Sequence, residues 1–220
     1  MSLTREHDYE PIPGLPDLLP EGEQIRWQGS PDWKDLAIFG LHVRKLSIYF
    51  ALLLGARVVV QNNASAPMQD ILVSTAILGV LAAVAVGFLT LFAWLAARST
   101  MYTITNQRLV IRCGVTLPIT TNLPFSLVES ADLRVRDSGI GDLPLTLEIG
   151  SRPSWIMLWP HVRPWSIGRV QPMIRSVENA REVGETLAGA LVAFKGAQRT
   201  SVSSNEQREQ SAGNLSASAG

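Results

Sequence analysis

Side chains suited to metal or redox chemistry are few in this chain and far apart in its sequence. They are one cysteine, Cys113, and three histidines, His7, His42 and His161. A single cysteine excludes an intrachain disulfide and a cysteine-only zinc site, and zinc sites usually need several closely spaced Cys or His ligands. We therefore expect no metal centre and no disulfide framework.

The signatures of common enzyme classes are missing from the sequence. It contains no P-loop, no dinucleotide-binding fingerprint, no HExxH and no GxSxG motif. A lone GxG at Gly139 and Gly141 lacks a following helical pattern, so we interpret it as a turn. Basic and acidic residues balance at 19 each, whereas nucleic-acid-binding proteins normally carry a basic patch. The sequence predicts a non-enzyme that binds no cofactor and no nucleic acid.

The best candidate for a binding site is the segment WPHVRPW, residues 159–165. Its two prolines predict a loop, and Trp and Arg are enriched at the centres of protein interfaces. We therefore take Trp159, His161, Arg163 and Trp165 as candidate partner-binding residues. The tryptophans have an alternative role, in which they anchor the protein on a bilayer surface or cap a core. His161 likewise has a structural alternative.

Two apolar segments precede this loop and must position it. Residues 71–97 include no charged side chain over 27 positions, and a helix of that length exceeds the ~30 Å of a bilayer core. Residues 46–60 are also apolar but are interrupted by Arg57. A second span over about 44–63 is feasible if Arg57 snorkels to the interface. Alternatively, Arg57 makes a polar contact with a partner subunit inside the membrane.

Charge flanking these segments predicts their orientation. The connection over residues 61–70 has no Lys or Arg, whereas basic residues such as Arg44 and Arg98 flank the other ends. The positive-inside rule then predicts a transmembrane hairpin over 42–98, with both termini in the cytoplasm. His42 and its basic neighbours form a cluster suited to anionic lipid headgroups.

Small residues recur in the second apolar segment at spacings of three and four, at Gly79, Ala82, Ala83 and Gly87. Such a face permits close helix packing. Packing within the hairpin is the default expectation. Self-pairing into a homodimer and contact with another membrane protein are the alternatives.

The N-terminal region, residues 1–41, is expected to form a cytoplasmic arm. Its first 22 residues are proline-rich and predict an irregular chain. A short strand should follow around Ile25 and Trp27. Ser30 is then expected to cap a helix over 33–41 that lies in the membrane interface.

The region after the hairpin, residues 99–196, is expected to form an antiparallel sheet or partly open barrel closed by a helix. In the fourth strand, Ala131, Leu133 and Val135 should mark the core face. The closing helix should run over 177–194 behind a Ser176 cap, and the polar tail over 197–220 should be disordered. Strands are predicted at 101–105, 108–112, 115–121, 128–136, 143–149 and 154–159.

The fold class is thus a membrane α-helical hairpin plus an α+β domain, and its strand order is that of a pleckstrin-homology (PH)-like fold. The segment YTITNQRLVIRCGV resembles the opening hairpin of membrane-anchored bacterial PH domains. A narrower resemblance covers roughly residues 9–195. In it, EPIPGLPDLLPEGEQIRWQGSPDW, HVRKLSIYF, LWPHVRPW and QPMIRSVENA together resemble the PuhB family of photosynthetic complex assembly proteins of purple bacteria.

This resemblance implies a non-catalytic factor of the bacterial cytoplasmic membrane that docks reaction-centre and core antenna subunits. Membrane lipids are further expected partners. In that setting His161 has another alternative role, as a ligand of a chlorophyll magnesium, although its loop lies outside the predicted spans. The competing hypothesis is a general membrane-anchored PH-like module that binds lipid or protein and has no link to photosynthesis.

Overall fold

The computed structural model describes residues 15, 19–64, 66–115, 117–148, 154–164 and 170–217. These residues form a two-helix hairpin and a sheet domain that a C-terminal helix closes. Most of the predicted irregular arm, together with Trp165 and Ile149, lies outside the described residues.

The N-terminal segment forms strand β1 (Ile25–Gly29), the single helical turn α1 (Trp33–Asp35) and a π-helical turn (Leu36–Gly40). These two turns replace the continuous helix predicted over 33–41. Asp32 rather than Ser30 caps them, because its side chain accepts a hydrogen bond from the Asp35 amide at 2.7 Å. Leu36 is fully buried against the end of the hairpin, so the segment is partly a core element.

The hairpin consists of α2 (Val43–Asn63) and α3 (Met68–Ser99), which pack against each other. A side-chain hydrogen bond of 3.1 Å joins Gln61 to Ser74 near the connection. Among the described helices, α3 alone has the length and apolar composition to cross a membrane, with a mean hydropathy of 2.5. The helical hairpin is therefore observed, but a second crossing by α2, which contains Arg57, stays a prediction.

The first sheet has the order β1-β2-β3-β4, with β2 at Met101–Thr105, β3 at Arg108–Cys113 and β4 at Ile119–Pro124. The turn between β2 and β3 falls where it was predicted. Thr105 Oγ1 there accepts hydrogen bonds from the amides of Gln107 and Arg108. Strand β4 begins later than predicted because the chain turns at Gly114, whose φ of +131° favours glycine.

Strand β1 precedes the hairpin in sequence and yet pairs with β2, which follows the hairpin. Arg108 holds this arrangement through two hydrogen bonds to Glu23, at 2.8 and 3.0 Å. Asn106 adds one bond to the Gly22 carbonyl and one from the Gln24 amide. The hairpin is therefore an insertion between two paired strands, and the sheet domain includes residues that were assigned to a separate arm.

The second sheet is built around β7 (Gly141–Leu147), whose leucines are buried as predicted. A short 3₁₀ turn (Phe125–Leu127) leads into it. Its remaining strands are β5 (Val128–Ala131), β6 (Arg134–Val135) and β8 (Met173–Val177), and each of them pairs with β7.

The predicted core face over 128–136 was wrong, because Ala131, Leu133 and Val135 are exposed while Val128 is buried. The register between β5 and β7 shifts between Val128 and Ser130. A one-residue shift moves every following side chain to the other face of a strand.

Two elements near the C-terminus differ from their predictions. A helical turn, α4 (Trp155–Leu158), replaces the strand predicted over 154–159. The closing helix, α5 (Ala180–Ala217), begins later than predicted because Ser176 belongs to β8. It also continues through Gly196 into the tail predicted to be disordered, where Ala, Glu, Gln and Arg favour helix locally.

The core of the sheet domain lies between the two sheets and α5. Its largest fully buried side chains include Tyr102, Phe125, Leu145, Ile174 and Leu187. Burial of such residues is the main source of folding free energy in a domain of this size.

Candidate docking site at the base of the hairpin

His161 lies at the centre of a continuous series of hydrogen bonds that joins the sheet domain to the end of α3. The Arg175 amide donates to the Tyr102 hydroxyl at 3.1 Å, and that hydroxyl lies 2.6 Å from His161 Nδ1. His161 Nε2 is 3.0 Å from the Thr100 hydroxyl, which donates to the Ala96 carbonyl at 2.7 Å. These donors and acceptors are all satisfied when His161 is neutral and carries its proton on Nε2.

The environment of His161 favours this neutral form. The side chain is fully buried, and burial together with the nearby charge of Arg175 lowers its pKa to about 3. Burial also raises the pKa of Tyr102 well above its usual value. Because both ring nitrogens of His161 have internal partners, the structure assigns it a structural role and leaves it unavailable as a surface contact or a magnesium ligand.

The other candidate residues of the WPHVRPW loop, Trp159, Arg163 and Trp165, differ in their surroundings. The Trp159 ring stacks on Phe92 of α3 with 5.4 Å between ring centroids but remains 44% exposed, so its predicted roles as a partner contact, a bilayer anchor or a core cap stay open. Arg163 is exposed and donates a hydrogen bond of 3.0 Å to the Gln171 side chain. Trp165 lies outside the described residues, so its role stays a prediction.

A second polar cluster, centred on Arg136 of the β6–β7 turn, joins the π-helical turn to the sheet. Arg136 forms ion pairs with Asp35, at 2.8 Å, and with Asp142. Its guanidinium lies 4.6 Å from the centroid of the Phe39 ring, within reach of a cation–π contact. Asp142 also accepts a hydrogen bond from the Ser176 amide at 2.9 Å. Burial raises the pKa of Asp35, while the charge of Arg136 opposes that shift.

Next to this cluster is a cavity of about 640 Å³, which we call the basal cavity. Phe39 and His42, immediately before α2, form one wall, and strands of the second sheet form the others. Its volume lies within the range of about 300–1,000 Å³ that is typical of ligand sites. Its lining comprises Phe39, His42, Asp132, Leu133, Arg134, Val135, Arg136, Asp142, Pro144, Arg163, Pro164, Met173 and Arg175.

The basal cavity is predominantly basic. Four arginines line it, against the two aspartates Asp132 and Asp142. Arg136 already pairs with Asp142, and the guanidinium of the buried Arg175 donates to the Pro160 carbonyl at 2.7 Å. In the described part of the chain, Arg134 has no ion-pair partner. Asp35 and Asp142 share Arg136, so the excess positive charge of the cavity is confined to Arg134 and Arg163, beside the point where the hairpin leaves the domain.

The small residues of α3 divide between its two sides. Ala82 is buried and Gly79 is half-buried, whereas Ala83 and Gly87 are exposed. A Cβ added at Gly79 or Gly87 would meet no atom within 4 Å, so neither glycine is needed for close packing within the hairpin. Arg57 is also exposed on α2, and both of its proposed roles remain open.

Reactive groups are poorly placed for catalysis in the described residues. Burial raises the pKa of the Cys113 thiol to about 11, so it is protonated near neutral pH. Among the residues that the structure describes, no cluster of three or more His, Cys, Asp or Glu side chains could hold a metal ion.

Sequence reasoning singled out only His42 and Arg163 among the charged and titratable residues that line the basal cavity. Asp35 lies in the helix predicted over 33–41, and Arg134 and Arg136 lie in the strand predicted over 128–136, where nothing in the pattern indicates a site. Asp35, Arg136 and Asp142 come from three separate segments, and no sequence spacing indicates that they meet.

Comparison with known proteins identifies the class of this protein. Residues 50–191 match the bacterial PH domain family, and the chain belongs to that family. Domains of this kind are generally binding modules rather than enzymes.

One relative is similar to this chain over most of its length. The chain is 33% identical over 189 residues to a Rhodobacter capsulatus protein described as an uncharacterized 23.7 kDa protein in the puhA 5′ region. The similarity covers 86% of this chain and 88% of the relative. No solved structure matches the chain significantly.

Proposed function

We propose that this protein is a non-catalytic assembly factor for photosynthetic membrane complexes, which docks reaction-centre and core antenna subunits. The observation that carries this proposal is the relative in the 5′ region of puhA, a photosynthesis gene. Its similarity spans most of both chains, so it includes the hairpin and the sheet domain together.

The exposed surface of the hairpin supports a membrane role. Leu52 of α2 and Val80 and Phe88 of α3 are all more than 60% exposed. Soluble monomers rarely expose contiguous apolar surface on this scale, so we place the hairpin in the cytoplasmic membrane, with both termini on the cytoplasmic side. The exposed small residues Ala83 and Gly87 of α3 then form a smooth face that suits close approach by a helix of a client subunit.

The sheet domain supplies a second contact surface close to the membrane. Arg163 at the rim of the basal cavity is exposed and positioned by Gln171. Together with Trp165 it forms the part of the loop that we take as the candidate contact for a client's cytoplasmic segment, since His161 is buried. Trp159 packs on Phe92 but is 44% exposed, so it stays a further candidate.

A deletion strain tests the proposed function directly. Membranes from the parent, the deletion strain and a strain complemented with the wild-type protein would be compared by near-infrared absorbance of the core complex. We expect the deletion to lower this absorbance and the wild-type protein to restore it. Unchanged absorbance in the deletion strain, grown photosynthetically and at equal cell density, would contradict an assembly role.

The loop can be tested in the same background. Complementation with an Arg163→Ala, Trp165→Ala variant should restore less core complex than wild type. An Arg26→Ala, Arg199→Ala variant is the control, since both of its arginines are exposed and distant from the loop in sequence. Immunoblots of the membranes must show equal amounts of the variants. Full restoration by the loop variant would remove the loop from the docking site.

A further inference from the structure

A groove runs between one edge of the second sheet and α5. Strands β5 and β6 pair with β7 on one side, and no strand in the described part of the chain pairs with their other side. Two adjoining hollows of about 500 and 490 Å³ lie between this free edge and the helix. We call them together the edge groove, which lies between residues 129–139 and residues 179–195.

The free edge offers a row of unpaired backbone groups. Residues 130–135 keep one register with β7, and the amides of Asp132 and Arg136 donate to carbonyls on the β7 side. Successive amides of a strand point to opposite edges, so those of the odd-numbered residues from 131 to 135 point to the free edge. This edge is about 20 Å long, and an unpaired edge of that kind is a template for another strand.

Apolar side chains form the floor of the edge groove. Leu133 is 45% exposed and faces α5, since a Cβ at Gly184 would lie 3.2 Å from its side chain. Leu187 and Leu191 of α5 continue the floor, and Val192 is 73% exposed at its rim. A strand added at the edge presents alternate side chains to one face. The edge groove is therefore suited to a segment with apolar residues at every second position.

The charged residues of the edge groove are mainly acidic. Five carboxylate side chains line it, those of Glu129, Asp132, Asp137, Glu182 and Glu185. The basic residues are Arg136, Arg181 and Lys195, and Arg136 already pairs with two carboxylates outside the groove. The excess of negative charge favours a basic occupant, because complementary charge steers association and selects partners.

The position of the edge groove brings it close to the base of the hairpin. Leu133 and Val135 line both this groove and the basal cavity, so the free edge separates the two. A chain that leaves the membrane beside the hairpin can therefore reach the groove. Cytoplasmic segments next to membrane spans carry an excess of Lys and Arg, which is the charge that the groove lacks.

We propose that the edge groove binds an extended, basic cytoplasmic segment of a membrane protein, which adds as a strand to β5 and β6. Its backbone pairs with the outward amides and carbonyls of residues 131–135. Alternate apolar side chains lie against Leu133 and Leu191, while its lysines or arginines face Glu182 and Glu185. This site rests on the docking role and the cytoplasmic placement proposed above, and it gives the surface and the chemistry of the partner.

Two other occupants fit these observations less well. A second copy of the chain, docked edge to edge, would bring the same excess of carboxylates into the interface, and like charges in contact are unfavourable. Residues 1–14 of this chain have one arginine against three acidic residues. That segment is acidic like the groove, so it does not complement the groove either.

Fluorescence anisotropy of labelled peptides with the full chain in an uncharged detergent tests the proposal. The probe is a peptide of about eight residues in which lysine alternates with valine, slightly longer than the free edge. One comparison peptide has glutamate in place of lysine, and the other has serine in place of valine. We expect the lysine–valine peptide to bind at least about tenfold more tightly than either.

Two results with these peptides overturn the proposal. One is the absence of lysine–valine binding below about 1 mM, which is weaker than a useful docking contact. The other is equal binding of the lysine–serine peptide, because charge attraction alone then accounts for the affinity.

Two variants locate the bound peptide. Ala131→Pro removes an outward amide and keeps the pairing with β7, since proline is tolerated on an edge strand where its nitrogen faces outwards. Glu182→Lys, Glu185→Lys reverses two exposed charges of the groove. Each variant should weaken binding of the lysine–valine peptide by about tenfold.

The control for charge is a Glu21→Lys, Asp70→Lys variant, which makes the same reversal at exposed positions outside the edge groove. Asp70 is also matched to Glu182, because both lie in the first turn of a helix. Wild-type affinity in this control, with loss in the groove variant, supports the proposal. Equal loss in both charge variants overturns it.

Amide hydrogen exchange distinguishes strand addition from other contacts. Saturating lysine–valine peptide should slow exchange at residues 131–135 by about tenfold or more, because these amides gain partners. Strand β4, an edge strand of the first sheet, should keep its exchange rates. Slowing at β4 alone, or no slowing at residues 131–135, overturns the proposal. These results are independent of the deletion strain, so loss of the edge groove as a site and loss of the assembly role are separate outcomes.

Discussion

The hairpin and the sheet domain differ in how far their apolar side chains are buried. Helix α2 has no buried residue, and much of α3 is exposed although its residues are strongly apolar. The sheet domain buries its apolar residues in one core and gives its buried Tyr102, His161 and Arg175 internal hydrogen-bond partners. The buried polar groups of the domain are thus satisfied within the chain, whereas the exposed apolar side chains of the hairpin pack against nothing that the structure describes.

This difference separates two kinds of substitution. In the domain, the removal of a polar group leaves its partner buried and unsatisfied, so stability falls. At Gly55, Gly79 and Gly87 of the hairpin, an added Cβ meets no atom of this chain within 4 Å, so we expect the effect of a substitution there to come from what lies outside the chain. The experiments below test that separation, from the largest expected change in stability to the smallest.

Asp142→Ala should be the most destabilising change, because it removes the carboxylate that accepts from Arg136 and from the Ser176 amide. The free energy of unfolding should fall by about 3 kcal/mol, the low end for breaking a buried ion pair, since Arg136 is partly exposed. Denaturant unfolding of the full chain in detergent measures it. Asp132→Ala is the control, since Asp132 lines the same cavity but is exposed. Equal effects of the two changes would contradict the assigned role of Asp142.

Tyr102→Phe should cost about 2 kcal/mol, because the Arg175 amide and His161 Nδ1 both lose their partner inside a fully buried site. The matched control is Tyr49→Phe on α2, where the side chain is 58% exposed. That control should change the unfolding free energy by a few tenths of a kcal/mol at most. A Tyr102 variant as stable as the Tyr49 variant would show that the hydrogen-bond chain contributes nothing.

The low pKa of His161 predicts a loss of stability in mild acid. Its pKa of about 3 in the folded protein lies below the ordinary value of 6.5, so the unfolded chain binds the proton more tightly. The contribution of neutral His161 is therefore complete above pH 6.5 and declines as the pH falls towards 3. The expected loss is about 2 kcal/mol at pH 5.

Unfolding free energies measured from pH 7.5 to pH 4.5 test this dependence. A His161→Gln variant should lose most of the slope, although its stability at pH 7.5 is lower. The raised pKa of Asp35 acts in the opposite direction at lower pH, but it is common to both proteins and cancels in the comparison. His42→Gln is the control, because His42 is exposed. An unchanged slope in the His161 variant would refute the assignment.

Sequence patterns predicted those parts of the fold in which local signals and burial agree. The turn at Asn106 and Gln107 and the alternating leucines of β7 are examples. Two predictions were wrong. Residues 155–158 form a helical turn instead of a strand. Leu133 lies off the core face because the pairing register of β5 with β7 shifts after Val128. Periodicity carries no information on either.

The candidate site was predictable only in part for a similar reason. Trp, His and Arg in one short loop indicated a contact region, but composition does not distinguish a side chain that faces solvent from one that faces the core. His161 faces the core because Thr100 and Tyr102 lie opposite it, 61 and 59 residues away in sequence. The ion pairs of Arg136 likewise depend on long-range contacts.

The smallest expected change in stability belongs to the outer face of α3. The unfolding free energy of a Gly79→Leu, Gly87→Leu variant should lie within about 0.5 kcal/mol of wild type, because a Cβ added at either position meets no atom within 4 Å and Leu favours helix over Gly. If a client helix packs on this face, the same variant should restore less core complex in the deletion strain, because the added side chains prevent close approach. Gly55→Leu is the matched control on α2, where an added Cβ also meets nothing within 4 Å. A destabilised Gly79→Leu, Gly87→Leu protein would show that this face packs within the chain after all. Full restoration by a stable one would place the client contact elsewhere on the hairpin or on the domain alone.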